Sequence, residues 1–339
     1  MYYPLNEYIE MRNKAVLIFF IIITPVILVS GFNCEKNAVV RIPDKAFEAL
    51  IRSKISKNTG DIFTADLKKI ETIIIKGNSI KSISGIEYCR NLKKFYIQEN
   101  DIIDFSILSG LKKLKTLALD ELKINDINFI TGLKTLTFLS VRDCPVTDIT
   151  SMSNLLNLTY LMLAQNAVSD ISAISNLTNL TELYFSNNRI EDITPLTNLT
   201  GLTFLNIDNN NIKDISPIAN LTNLTSLYLS DIGIDDISIL SGLTKLKSLI
   251  LDENNISDLR PISGLIHLET LILSDNAITD LDPVSDLINL KYLSVYHNRL
   301  TIDFNKPDIN GTILKKYIQN GCNVRYQGSE NRNIITGKP

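Results

Sequence analysis

Leu177-Thr-Asn-Leu180-Thr-Glu-Leu183-Tyr-Phe185-Ser-Asn-Asn188-Arg-Ile190-Glu-Asp-Ile193-Thr-Pro-Leu196-Thr-Asn198 is one period of a pattern that recurs every 22 residues. Periods begin at Leu67, Cys89, Leu111, Leu133, Leu155, Leu177, Leu199, Leu221, Leu243, Leu265 and Leu287. Ten are complete, the eleventh is truncated, and no insertion disturbs the register. Self-similarity at this length decides the fold before any local propensity does, because each copy must stack on an identical neighbour.

Eight places in the unit are almost always apolar or Asn: the first, fourth, seventh, ninth, twelfth, fourteenth, seventeenth and twentieth. Apolar residues at the seventh and ninth places, such as Leu183 and Phe185, have the alternation of a short strand with one buried face. Asp214-Ile-Ser-Pro-Ile218 is too short for an α-helix and suits a single 3₁₀ turn, with Asp as its cap and Pro at its start. One unit alone buries too little apolar surface to order its own backbone. Stacking supplies the rest, with strands paired in parallel along the concave side and compact turns on the convex side.

Two polar columns need an account. The twelfth place holds Asn78, Asn100, Asn166, Asn188, Asn210, Asn254, Asn276 and Asn298, interrupted by Leu122, Cys144 and Ile232. A buried amide is tolerated only when bonded, so a ladder to backbone groups of adjacent coils is expected. Where Leu122 and Ile232 stand, compensation by water or a shifted backbone is expected. The sixteenth place holds Asp104, Asp126, Asp148, Asp170, Asp192, Asp214, Asp236, Asp258 and Asp280. Each is expected to accept backbone N–H bonds from the following turn; a ladder of cations is the competing reading.

These residues reproduce the leucine-rich repeat in its 22-residue bacterial form, and the sequence resembles internalins and internalin-like surface proteins. The lead-in Val39-Val-Arg-Ile-Pro43, followed by Phe47, Leu50, Ile51 and Ile55, is similar to the small helical N-terminal cap of that family. The resemblance implies an α/β fold: a curved solenoid with a parallel sheet on its concave face, 3₁₀ turns on its convex face, and caps at both ends. It also implies protein binding without catalysis. Two features depart from the family: neither an immunoglobulin-like domain nor a Leu-Pro-x-Thr-Gly signal follows the repeats.

The organisation expected is a signal peptide or membrane anchor at 1–33, a helical cap at 34–66, repeats at 67–300, a second cap at 301–327 and a disordered tail at 328–339. In the first cap, Asn58-Thr-Gly60 is expected to stop one helix and Thr64 to cap a second. In the last cap, Ile309, Ile313, Leu314, Tyr317 and Ile318 mark a helix ending at Gly321, with a strand over Cys322–Tyr326. Ala15 to Phe32 is an almost uninterrupted apolar run behind Arg12 and Lys14, the shape of a secretory signal, with Met1 or Met11 as its start. Cleavage near Val29-Ser30-Gly31, a lipid on Cys34 and a retained anchor all remain open.

The chain has a net charge of −3 with mixed signs, which shows no nucleic-acid footprint. Cys89 and Cys144 occupy core places and read as buried thiols rather than a disulfide framework. His267 and His297 are 30 residues apart, and no glycine-rich phosphate loop or Gly-x-Ser-x-Gly elbow occurs. The chain is therefore not expected to be an enzyme or to carry a cofactor or metal.

Function is expected at concave places that packing does not fix. The sixth and eighth places carry Tyr96, Phe138, Tyr160, Met162, Tyr184, Phe204, Tyr228 and Tyr292, with Tyr296 just beyond. Exposed aromatics bury much area with little entropy loss and suit protein anchors. Asp208, Asp231 and Asp252 belong to an acidic rim at the tenth and eleventh places, which complements a basic, partly apolar partner. The expected molecule is a secreted or envelope-attached monomer that holds a protein ligand, for adhesion or host interaction. It touches membrane only through its N-terminal segment or a lipid on Cys34. A cytoplasmic regulator, similar to phosphatase-regulating proteins with this repeat, and a carbohydrate-binding surface protein are the alternatives.

Overall fold

A computed structural model describes residues 37–304 and 308–327. The signal or anchor expected at 1–33, Cys34 and the tail at 328–339 lie outside the described residues.

Strands β3 (Thr72–Lys76), β4 (Lys94–Asn100), β5 (Thr116–Leu122), β6 (Phe138–Ser140), β7 (Tyr160–Met162), β8 (Glu182–Tyr184), β9 (Phe204–Asn206), β10 (Ser226–Tyr228), β11 (Ser248–Ile250), β12 (Thr270–Ile272) and β13 (Tyr292–Ser294) come one per coil. With β14 (Asn323–Arg325) they form one sheet whose order is the chain order. All neighbours are parallel, and from β3 to β13 residue i faces residue i+22, as Leu183 faces Leu205. Single 3₁₀ turns, such as Thr194–Leu196, alternate with the strands. The chain thus folds as the expected leucine-rich-repeat solenoid. Its core is one continuous cluster built from the apolar columns, with Leu180, Leu183, Phe185, Ile190 and Leu196 all at 0 % exposure in one coil.

The amide ladder has the expected form. Asn188 Nδ2 donates to Leu163 O (2.9 Å) and Phe185 O (3.0 Å), and its Oδ1 accepts from Val168 N (3.0 Å). Each interruption is compensated differently. Cys144 Sγ donates to Leu119 O at 3.3 Å, the carbonyl an Asn there would reach. Beside Leu122, Asn100 Oδ1 takes Ile102 N within its own coil at 3.0 Å. At Ile232 the backbone shifts: Gly233 follows with φ +76°, and Asn254 Oδ1 accepts from both Ile232 N (3.3 Å) and Ile234 N (3.2 Å).

All nine aspartates of the sixteenth place accept the N–H two residues ahead, as Asp192 Oδ1 does from Thr194 N at 2.8 Å. A carboxylate so bonded favours its charged form, and the pKa of Asp148 is lowered by the Thr150 N–H. Among the described residues no group of three or more His, Cys, Asp or Glu could hold a metal ion.

Two ladders were not legible beforehand. At the third place, Asn157 Nδ2 and Asn179 Nδ2 donate at 2.8 Å to the second-place carbonyls of the preceding coil, Lys134 O and Leu156 O. At the fifth place, Thr181 Oγ1 and Thr203 Oγ1 bond the preceding Thr carbonyl at 3.0 and 3.1 Å.

The caps correct two expectations. Helix α1 (Lys45–Ile55) is capped by Asp44, which accepts from Phe47 N, and it ends at Ser56 in the left-handed region rather than at Asn58–Gly60. Ser56 N–H turns back to the last helical carbonyls, so the stop precedes the glycine. Helix α2 (Thr64–Leu67) has Phe63, not Thr64, at its cap position. Asp66 supplies the acceptor for Phe63 N at 3.0 Å, and Thr64 Oγ1 accepts from Ala38 N instead. Strands β1 (Val39–Val40) and β2 (Ile62–Phe63) pair antiparallel around α1, which the sequence did not suggest. At the other end, α3 (Ile309–Gln319) forms as expected and Gly321 has φ +83°.

Candidate ligand-binding face

Alternation along each strand sends the seventh and ninth places into the core and the sixth and eighth to the concave face. Leu139, Leu161, Leu183, Leu205 and Leu227 are fully buried in the core cluster; Phe138 and Tyr160 are not members of it. The strands therefore hold the aromatic residues on the opposite surface.

There the rings form a ladder. Phe138 and Tyr160 stack at 4.3 Å between centroids, Tyr160 and Tyr184 lie 5.2 Å apart, Tyr184 and Phe204 4.4 Å, and Phe204 and Tyr228 5.1 Å. The first two face each other in register, and the later steps run diagonally, because the ring moves between the sixth and eighth places. These separations suit favourable offset or tilted ring pairs. The ladder corrects the expectation of a uniformly exposed ribbon: Phe138 is 4 % and Tyr160 7 % exposed, covered by their neighbours and not by the core. Tyr184, Phe204, Tyr228 and Met162 are half-buried and present their remaining surface to solvent. Tyr184 Oη donates to Glu182 Oε2 at 3.0 Å.

Not every candidate joins. Tyr96 is half-buried on β4, two strands before Phe138. Tyr292 is half-buried on β13, three strands past Tyr228, and the strands between carry Ser248, Ile250, Thr270 and Ile272 on this face. Tyr296 packs against His297, with centroids 3.7 Å apart. His297 Nδ1 in turn meets Asp275 Oδ1 at 2.7 Å, a pair set up by the 22-residue offset.

The acidic rim separates into two columns with different causes. At the eleventh place every coil has positive φ: Gly77, Glu99, Glu121, Asp143, Gln165, Asn187, Asn209, Asp231, Glu253, Asp275 and His297. In each coil the backbone turns here through the left-handed region, which disfavours branched and bulky side chains. Its N–H still bonds across coils, as Asn187 N does to Asp208 O at 2.9 Å. Asp231 is exposed at such a turn, so its column reflects backbone geometry first.

The tenth place is different. Ser230 N donates to Asp208 Oδ1 at 2.7 Å, and Ser230 Oγ donates to Asp252 Oδ1 at 2.6 Å. Burial pushes the Asp208 carboxyl up to about 6, and the nearby Asp252 charge adds to the rise against the Ser230 N–H bond. Near the other end of the aromatic ladder, Asp120 is 6 % exposed and accepts from Ser140 Oγ at 2.6 Å. Burial raises its pKa also, against the lowering effects of Ser140 and Arg142. Arg142 reaches Glu121 and Gln165 on either side. A buried carboxyl, Asp120, stands close to one end of the ladder and the half-buried Asp208 and Asp252 close to the other, and Arg142 and the exposed Ile74 (47 %) are concave residues that the sequence reading passed over. The same alternation rule, applied to every coil, marks both.

Burial disfavours the thiolate at each described cysteine, raising Cys89 and Cys144 to about 12 and Cys322 to about 11.

Known proteins agree with this architecture. A family model of leucine-rich repeats (two copies) matches residues 178–220, 222–265 and 266–307. The chain is similar to an internalin, InlF, of Listeria monocytogenes, at 29 % identity over 84 % of this chain and 90 % of that one, with a TM-score of 0.72. It is also similar to the functional domain of InlJ from the same organism, at 26 % identity over 84 % and 60 %, with a TM-score of 0.70. A leucine-rich-repeat protein of Leptospira interrogans shares the fold at 21 % identity, covering 73 % of this chain and 74 % of its own, with a TM-score of 0.52. No curated protein matches.

Proposed function

Since this chain is an internalin-like leucine-rich-repeat protein, we propose that it is a non-catalytic scaffold that holds a protein ligand on its concave face. The ladder from Phe138 to Tyr228 carries the reading: five rings on five adjacent strands form one continuous strip of paired aromatic side chains on the concave face. Neighbouring rings fix each other's rotamers, so little entropy remains to be lost when a partner covers them. Asp208 and Asp252 at one end, with the exposed acids of the turn column, favour a ligand that is basic beside an apolar patch.

In this reading the chain works outside the cytoplasm, secreted or held at the cell envelope by its N-terminal segment or a lipid on Cys34, as a monomer. Adhesion or host recognition is the role in view. The N-terminal apolar run is its support; among the described residues no helix is long and apolar enough to cross a membrane.

The test is capture on intact cells, with the bound partner identified by mass spectrometry. The variant Phe204→Ala/Tyr228→Ala should reduce capture at least tenfold while the cooperative melt is retained. Undiminished capture by a folded variant would remove the concave face from the binding site.

A further inference from the structure

The net charge hides a strong segregation. Across places one to six of the first four coils stand nine basic residues and one acidic residue; the same places in the other seven coils hold three and two. The second place forms a row: Lys68, Arg90, Lys112 and Lys134. Lys69 and Lys113 at the third place and Lys93, Lys115 and Lys94 beyond them thicken it. All are exposed except Lys68, which is half-buried.

Neutralisation within the protein is partial. Lys93 meets Glu71 at 2.7 Å and Lys69 meets Asp66 at 3.7 Å. Lys112 Nζ instead bonds the Ser109 and Gly132 carbonyls, and Lys113 Nζ bonds the Asn91 amide at 2.7 Å. The backbone under the row is held rigid, since Asn91 Nδ2 grips Lys68 O (2.8 Å) and Thr135 Oγ1 grips Lys112 O (2.9 Å). Successive coils step by about 4.8 Å, so like charges recur on neighbouring coils over a fixed backbone and repel one another. An external polyanion relieves this repulsion.

We propose that this corner binds a linear sulfated polysaccharide, laid across the strands along the second-place row. Four coils set charges over about 14 Å, a spacing that suits closely repeated anionic groups. Eight of the nine cations are Lys, which acts as a point charge and reads charge density rather than one bidentate partner. The basic residues extend from a recess where Arg90, Lys112 and Lys113 outnumber the single acid, Glu87, beside Tyr88, to Lys94 on the first residue of β4. A flexible chain enters such a recess better than a flat lipid surface does. No row of exposed aromatic rings accompanies the lysines among the described residues, so stacking of nucleic-acid bases has no platform.

The experiment measures retention of the full chain on immobilised heparin as salt is raised. The expected result is binding at low salt that falls steeply with ionic strength. Arg90→Glu/Lys94→Glu/Lys134→Glu should lose at least tenfold in affinity, and Lys69→Glu/Lys115→Glu should lose severalfold. Lys247→Glu/Lys291→Glu, at the fifth place of late coils, should bind as the parent does. Thermal melts verify that each variant is folded. Absence of binding at low salt, or equal loss in the late-coil control, overturns the proposal. Tighter binding to anionic phosphatidylserine vesicles or to oligo(dT) than to heparin overturns it too, in favour of those partners. Phe204→Ala/Tyr228→Ala should leave heparin binding unchanged, which separates this corner from the concave site.

Discussion

The two faces of the sheet share every strand and every register step, yet they differ in what they allow. On the core side the seventh place is Ile73 and Phe95 in the first two coils and Leu in each of the nine that follow, from Leu117 to Leu293, all at 0 % exposure. On the concave side the neighbouring column runs Met162, Tyr184, Asn206, Tyr228, Ile250, Ile272 and Ser294. Each core side chain meets its counterparts above and below and the turns of the coil behind, so the place stays apolar in every coil and is almost always Leu. A concave side chain meets copies only along the sheet; solvent or a partner supplies the rest. Repetition therefore marks where the protein satisfies itself, and variation marks where it is open to others.

The contrast makes ordered predictions. Leu183→Ala should cost about 2–5 kcal/mol through lost burial and the cavity left behind, measured by denaturant unfolding. A cost near zero would show that the solenoid repacks locally and that the faces differ less than their burial implies. Asn188→Ala should cost about 1–3 kcal/mol, since Val168 N loses its acceptor, while Leu163 O and Phe185 O each lose one donor and keep Asn166 Nδ2 and Asn210 Nδ2. On the other face, Tyr184→Ala should cost only about 1 kcal/mol, because it breaks two ring pairs without opening the core. If Tyr184→Ala destabilises as much as Leu183→Ala, the ladder is a second core and not a docking strip.

The last prediction is a pH dependence. Burial raises the folded pKa of Asp208 from 3.8 to about 6. Between those values the folded state binds more protons than the unfolded state, so stability falls as pH rises through that window. Asp208→Asn keeps an acceptor for Ser230 N and removes the charge. It should leave stability at pH 4 nearly unchanged and raise it at pH 7.5, flattening the profile between. An unchanged profile would show that Asp252 and solvent already satisfy the site.

Most of the solenoid was readable because its causes repeat. The period, the core columns, the Asn188-type amides and the Asp192-type caps each recur often enough to stand out from chance. What escaped depends on neighbours 20 to 24 residues away, where one-dimensional reading has little purchase. The period already places Tyr160, Tyr184 and Phe204 near one another on one face; what escaped is that their contact covers Tyr160 down to 7 % exposure. Asp231 looked like part of a charged rim, while its left-handed backbone is shared with Gly77 and Asn187. The third-place amides drew no attention in the sequence, although Asn179 bonds Leu156 O. The helix stop at Ser56 escaped for the opposite reason, since it is a single event with a stronger glycine signal just beyond it.

The unbroken register also makes the length of the molecule adjustable. Excising Leu243 to Gly264 removes one whole coil; Asn276 would then take over the bonds that Asn254 makes to Ile232 and Ile234, and every column would close again. Tyr292 would move one strand nearer to Tyr228, drawing a distant ring toward the strip. A protein assembled in this way can lengthen or shorten its grip by about 4.8 Å at a time, so new spans can be reached by gain or loss of coils, without redesigning the joints between them.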